Sequence, residues 1–166
     1  PCFALSDHQF GAVRSRFDYS SSVLNCSWHK NYHGYDLSKF TEISAGVFRD
    51  DSFIEFTVPT QTLFGVNIPF SGGGYFRLLP LSITKLLIRQ FRGATRGVVL
   101  PFYFHPYEFS RENFDYPAGL NGWRMRVGVT KNRDKLRYFL DSMQSSSDVN
   151  FLTYGDLHHQ LTAQSV

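Results

Sequence analysis

Apolar residues recur along this chain at two different periods. Behind Ser6-Asp7-His8-Gln9, Phe10, Val13 and Phe17 follow at three- and four-residue spacing. That spacing predicts a short helix from Asp7 to about Arg16, with Ser6 as its cap and Gln9 reaching back to close a capping box. From Phe17 to Val23 the period drops to two: Phe17, Tyr19 and Ser21 alternate with Asp18, Ser20 and Ser22, which predicts a hydroxyl-rich strand. Asn25 to Phe40 lacks either period and reads as loop. Phe48 to Val58 predicts a strand with Ile54, Phe56 and Val58 on one face, ended by Pro59. Pro69 to Gly74 reads as a loop whose glycines serve positive φ or close backbone approach. Pro80 is suited to a first helical position, and Ile83, Leu86, Leu87 and Phe91 then mark a helix closed by Gly93 and Gly97. Val98 to Phe104 is a continuous apolar run and predicts a central, doubly covered strand. Phe109 to Asn121 reads as loop. Leu136, Phe139, Leu140 and Met143 predict a helix from Asp134 to Met143, broken at Ser145-Ser146-Ser147-Asp148. A short strand, Phe151 to Tyr154, and a last helix capped by Asp156 complete the reading.

Strands alternating with helices point to an α/β fold with a mainly parallel sheet or barrel. The 166 residues contain no internal repeat and no linker, so the sequence reads as a single unit over 1–166. With 42% hydrophobic residues, the chain has enough apolar mass to offset ordering entropy, which excludes a disordered chain. No apolar run approaches a membrane span of about 18 residues. The net charge of +3 is mild and its basic residues are scattered, which argues against a nucleic-acid partner. Arg124, Arg126, Lys131 and Arg133 form the densest basic group and read as a solvated face. The chain opens on Pro1, with no basic segment leading into an apolar one, as if cut from something longer. The sequence does not fix the compartment. Aromatics are the unusual feature: 17 Phe, 9 Tyr and 2 Trp. Many serve a core; in a groove such rings also suit the C–H faces of sugars.

Candidate chemistry is sparse. His105 follows the apolar run, and the carboxyl ends of strands in parallel α/β folds collect active sites. A histidine there can exchange a proton near neutral pH. Glu108, three residues on, is placed to orient it or to hold a neighbouring loop. Cys26, His29 and His33 loosely resemble zinc-ligand spacing, but a polar surface loop explains them better. His158-His159 reads as an exposed helical pair. Ser20-Ser21-Ser22 is a weak nucleophile candidate beside strand-edge hydroxyls. Two cysteines, Cys2 and Cys26, make no disulfide framework. Gly72-Gly73-Gly74 lacks the lysine of a phosphate loop.

Several of these segments together resemble one family. Ser71-Gly72-Gly73-Gly74-Tyr75-Phe76-Arg77-Leu78-Leu79-Pro80 resembles a block of the polysaccharide deacetylases with NodB homology, in the subgroup tied to exopolysaccharide loci. Phe102-Tyr103-Phe104-His105-Pro106-Tyr107-Glu108 resembles that subgroup's His-Pro-Trp-Glu motif. Pro1-Cys2-Phe3, Phe17 to Val23, and His29 to Gly34 resemble further segments less closely, and the likeness ends near Leu140.

The resemblance implies an irregular (β/α) barrel whose N-terminal strands are missing from this sequence. It implies a carbohydrate esterase that removes N- or O-acetyl groups from a glycan with a divalent ion, usually zinc, held by an Asp and two His. His105 matches the general acid. Tyr75, Arg77, Tyr107 and Glu108 are then expected to shape or contact the substrate groove. The family's Asp-Asp and His-x-x-x-His motifs precede the segment in which this sequence starts. Asp50-Asp51 falls too late to replace the first, and His29 and His33 lie on the wrong side of Pro1 for the second. No metal ligand is therefore assigned here, and the chain alone is expected to be inactive. Its expected partners are an acetylated glycan and the missing N-terminal half. The rival readings are a non-catalytic glycan-binding or interaction module and a gene remnant.

Overall fold

A computed structural model of the protein describes residues 5–24, 26, 36–63, 65–93, 98–110 and 115–163. The segment carrying His29 and His33, and the opening Pro1-Cys2-Phe3, lie outside them. Where the sequence reads as one unit, the residues gather into two. One takes Pro1–Pro69, Arg89–Pro101 and Phe151–Val166; the other takes Phe70–Ile88 and Phe102–Asn150. Their segments interleave along the chain, so no linker composition marks a boundary.

In the first unit, helix α1 (Asp7–Arg14) begins as its sequence demands. The Ser6 hydroxyl accepts the Gln9 N–H at 3.3 Å, and the Gln9 side-chain oxygen accepts the Ser6 N–H at 2.9 Å. Two donors that the helix cannot satisfy internally are thereby paired. A four-stranded sheet follows with order β1–β4–β3–β2, made of β1 (Tyr19–Ser20), β2 (Thr41–Ser44), β3 (Val47–Asp50) and β4 (Phe53–Phe56). Only β1 and β4 run parallel, with Ser20 opposite Glu55; the β2–β3 and β3–β4 pairs are antiparallel. This corrects the expectation of a mainly parallel sheet. The expected strand Phe48 to Val58 is a hairpin, turned where Asp51 takes φ 51°, a left-handed conformation that Asp tolerates. Tyr19–Ser20 is all that forms of the strand expected from Phe17 to Val23, followed by a parallel bridge from Leu24 to Val58.

Side-chain alternation along β4 sets two small cores. Phe53 packs with Phe10 and Val23 and with half-buried Leu5, Val13, Leu37 and Phe40. Ile54 and Phe56, on the other face, pack with Val47 and with Val99, Tyr154, Leu157 and Leu161. Each fully buried Phe, Leu or Ile contributes about 1.5–3 kcal/mol. The last three partners belong to the turn and helix at the end of the chain, α6 (Tyr154–Ala163). Its cap is Thr153 rather than the expected Asp156: the Thr153 hydroxyl accepts the Asp156 N–H at 3.1 Å and donates to its carboxylate at 2.7 Å. No strand forms over Phe151 to Tyr154. A separate hairpin pairs β5 (Thr60–Leu63) with β6 (Val66–Pro69), next to Gly65 at φ 78°.

The second unit holds α2 (Gly73–Leu78), a 3₁₀ turn (Pro106–Phe109), α4 (Leu120–Arg126) and α5 (Val129–Gln144); α3 (Leu81–Gly93) begins in it. The glycine loop thus turns into a helix at Gly73. Pro80 leads α3 in, its carbonyl accepting the Thr84 N–H at 3.0 Å. The apolar run Val98 to Phe104 is not a strand. Among the described residues its only pairing is a bridge between Tyr103 and Gly72, and Phe102 and Phe104 are half-buried, edge-on to the buried Phe76 at 5.7 and 5.6 Å. Phe139 of α5 joins that ring cluster at 5.4 Å from Phe76. The fold is mixed α/β with small sheets, and no closed barrel forms among the described residues. None of their helices is long and apolar enough to cross a membrane.

Candidate functional site

His105 stands where an extended segment meets the 3₁₀ turn. Pro106 occupies the turn's first position, where its missing N–H costs nothing. Glu108 folds back across this single turn: its Oε2 accepts the His105 backbone N–H at 3.0 Å and lies 3.6 Å from the imidazole Nδ1. The second contact is an ion-pair distance rather than a hydrogen bond. The Glu108 side chain is completely buried, whereas the His105 side chain is 50% exposed. A carboxylate so placed faces one ring nitrogen and leaves the other side of the ring toward solvent.

A buried carboxylate is costly without a cation. Arg77 of α2 supplies one: its Nε lies 3.4 Å from Glu108 Oε1, with only 2% of its side chain exposed. Its Nη1 donates to the Arg124 carbonyl at 2.8 Å and to the Val127 carbonyl at the end of α4. Arg77 and Glu108 thus form a buried pair. Both side chains, expected to shape or contact a substrate groove, are buried. Tyr107 does lie beside the histidine, its ring 5.4 Å away and inclined by 30°; Tyr103 stands edge-on at 5.6 Å. Burial, and then the charge of Glu108, push the Tyr107 hydroxyl above the ordinary tyrosine range, against the pull of Arg77. Tyr107 therefore stays protonated. Tyr75 is half-buried and its hydroxyl is covered.

Two glycines let this framework close. Gly72 lies at φ 99°, and a Cβ there would stand 2.1 Å from the Tyr103 carbonyl oxygen; the Gly73 N–H donates to that oxygen at 2.8 Å. Gly73 at φ 53° faces the Tyr103 ring, where a Cβ would meet the hydroxyl at 2.6 Å.

This geometry lies wholly within one matched segment. The chain belongs to the family described as Domain of unknown function (DUF3473), whose model matches residues 21–155. No curated protein and no solved structure matches the chain.

Two residues of the DUF3473 site escape the sequence reading. Asn132 of α5 is buried and its Nδ2 donates to the Glu108 carbonyl at 3.3 Å. Lys135 sends its ammonium to the carbonyls of Phe76 and Leu79 and over the Phe76 ring at 4.6 Å, and burial lowers its proton affinity. Both sit in a polar run that reads as a solvated face. The available signal is their spacing: with Phe139, they fall at i, i+3 and i+7 on one helix face.

Away from this site, Glu55 forms a second polar cluster. Its Oε1 accepts the N–H groups of Ser22 and Val23 at 2.6 and 2.8 Å, beside a 2.6 Å contact between the Ser20 and Ser22 hydroxyls. Burial raises its proton affinity, opposed by those bonds. Of the serines, Ser20 and Ser22 are buried, and half-buried Ser21 accepts the Tyr154 hydroxyl at 3.4 Å. His158 is half-buried against Tyr19 at 5.5 Å, not exposed as its pairing with His159 suggests.

Among the described residues, no three His, Cys, Asp or Glu side chains gather to hold a metal ion. Cys26, the described member of the loosely zinc-like set, is buried with its Sγ 3.7 Å from the Asn67 carbonyl oxygen. The described residues thus offer a divalent ion no donor set.

Proposed function

We propose that this chain is the C-terminal part of a polysaccharide deacetylase of the NodB-homology kind, and that His105 is its general acid. The observation that carries the reading is the half-exposed imidazole whose Nδ1 faces a buried carboxylate. The association of the domain with polysaccharide deacetylase-like proteins supports it. So does the likeness of Ser71 to Pro80 and of Phe102 to Glu108 to that family's segments.

In this role the imidazolium gives its proton to the amine nitrogen or alkoxide oxygen that departs as the acetyl C–N or C–O bond breaks. Neutral imidazole remains. Glu108 stabilises the charged ring before transfer and fixes its orientation. Tyr107 and Tyr103 flank the ring and form the apolar wall beside an acetylated sugar. The divalent ion and the base belong to motifs that this sequence does not carry. In this reading the barrel is completed by those preceding segments.

The test uses the full-length gene product that contains this chain. Acetate release from acetylated oligosaccharides, with zinc supplied, is compared between the native protein and His105→Ala. Proton donation by a placed side chain is worth about 10²–10⁴ in rate, so a loss of that size is expected. Unchanged turnover in the variant would remove His105 from the reaction. The row Tyr103, His105 and Tyr107 favours one alternative, a glycan-binding module. Saturable oligosaccharide binding without acetate release, lost in Tyr107→Ala, would establish it instead.

A further inference from the structure

Arg77 is paired with the carboxylate that faces His105. Its Nε meets the Glu108 carboxylate at 3.4 Å, and its Nη1 binds the carbonyls of Arg124 and Val127. It therefore ties the 3₁₀ turn to the end of α4. The next residue, Gly128, is shaped around it: at φ 81°, a Cβ there would stand 3.0 Å from the Arg77 Cγ. Gly128 then opens α5, whose Asn132 holds the Glu108 backbone from the other side at 3.3 Å. Two independent ties thus converge on Glu108, one on its carboxylate and one on its carbonyl.

We infer that Arg77 is a positioning residue for His105, selecting through the Glu108 carboxylate which ring nitrogen carries the proton. Glu108 has no exposure with which to shed its charge to water, and Arg77 is its cation. Without the guanidinium, the buried carboxylate loses the partner that fixes it beside Nδ1. The ring then loses the partner that distinguishes its two nitrogens. Among the described residues, the rings of Tyr103 and Tyr107 also pack against the imidazole, and Tyr107 stays protonated. The inference deepens the general-acid reading, since an acid must present its proton on the outward nitrogen.

The measurement is the ¹⁵N spectrum of the His105 ring in the whole protein, at a pH where the ring is neutral. The native protein is expected to show mainly the Nδ1–H tautomer. Arg77→Met is expected to lower the Nδ1–H to Nε2–H ratio at least threefold. Arg77→Lys is expected to fall between, because a single ammonium nitrogen cannot stand at both the Nε and the Nη1 positions of the guanidinium. Arg49→Gln is the control. It removes a 2.7 Å bond to the Leu161 carbonyl in the other unit and is expected to leave His105 unchanged. An unaltered tautomer ratio in folded Arg77→Met overturns the inference. Should that variant not fold, an unaltered ratio in Arg77→Lys overturns it equally. Because the readout is the ring and not turnover, this inference and the general-acid reading can fail separately.

Discussion

A methyl group on Gly72 would stand 2.1 Å from the carbonyl oxygen of Tyr103. The obstacle is main chain and cannot swing aside, and the φ of 99° is strained for any L side chain. Gly72→Ala is therefore expected to cost about 2–4 kcal/mol, combining backbone strain with loss of the Gly72–Tyr103 pairing. Gly11, inside α1, has nothing within 4 Å of an added Cβ. Gly11→Ala is expected to add about 0.5–1 kcal/mol. Urea unfolding of both variants checks the pair. Equal effects would mean that the glycine at 72 is not conformationally required.

The Arg77–Glu108 pair predicts a joint loss of stability and activity. Glu108→Gln keeps an oxygen that can accept the His105 N–H but removes the charge facing Nδ1 and Arg77. Breaking a buried pair by taking one partner costs about 3–5 kcal/mol, because the other charge remains buried. A fall of that size in unfolding free energy is expected, together with a drop in kcat of the full-length gene product. A stability change under 1 kcal/mol, on the order of that for exposed pairs, would show that the pair is solvated.

Glu55 predicts a pH dependence with a definite sign. Burial raises its proton affinity in the fold above that of the unfolded chain. The folded state thus binds more protons between the ordinary glutamate value and the raised one. Stability from this group is complete below the ordinary value and declines as pH rises through that window. Glu55→Gln, which retains an acceptor for Ser22 and Val23, is expected to flatten this decline. Chemical denaturation at several pH values across the window makes the comparison. A decline of equal slope in the variant would assign it to another group.

The parts of the fold that local rules govern were legible. The Ser6–Gln9 capping box starts α1, and the apolar spacing over Leu136 to Met143 marks the middle of α5. What escaped is held by distant residues. Three glycines argue against a helix at 72–74, yet α2 begins at Gly73, tied by its N–H to Tyr103 and at its far end by Lys135. Val98 to Phe104 shows the converse error: its apolar character reflects rings stacking around Phe76, not a strand covered on two faces. At the site, His105 and Glu108 were readable because they sit three residues apart in one turn. The burial of Arg77 was not, since its partners lie 31 to 50 residues away. Asn132 was hidden by its charged neighbours.

Lys135 joins these observations in a last prediction. Its ammonium closes the carbonyl end of α2 by reaching Phe76 and Leu79, and it lies over the Phe76 ring. That helix has only six residues, and glycines fill its first turn. Its own propensity cannot hold it, so the lysine does what a longer helix would do for itself. Lys135→Met preserves the stem packing but leaves both carbonyls without this donor. Hydrogen bonds to a charged group are worth about 1.5–3 kcal/mol, and a loss in that range is expected. Because Arg77 rides on the same helix, the change is also expected to raise amide hydrogen exchange at Phe76 to Leu79. Lys135→Arg, which keeps donors and charge, is expected to recover part of both. Protection at Phe76 to Leu79 that is unchanged in Lys135→Met would show that α2 is held by Tyr103 and Arg77 alone.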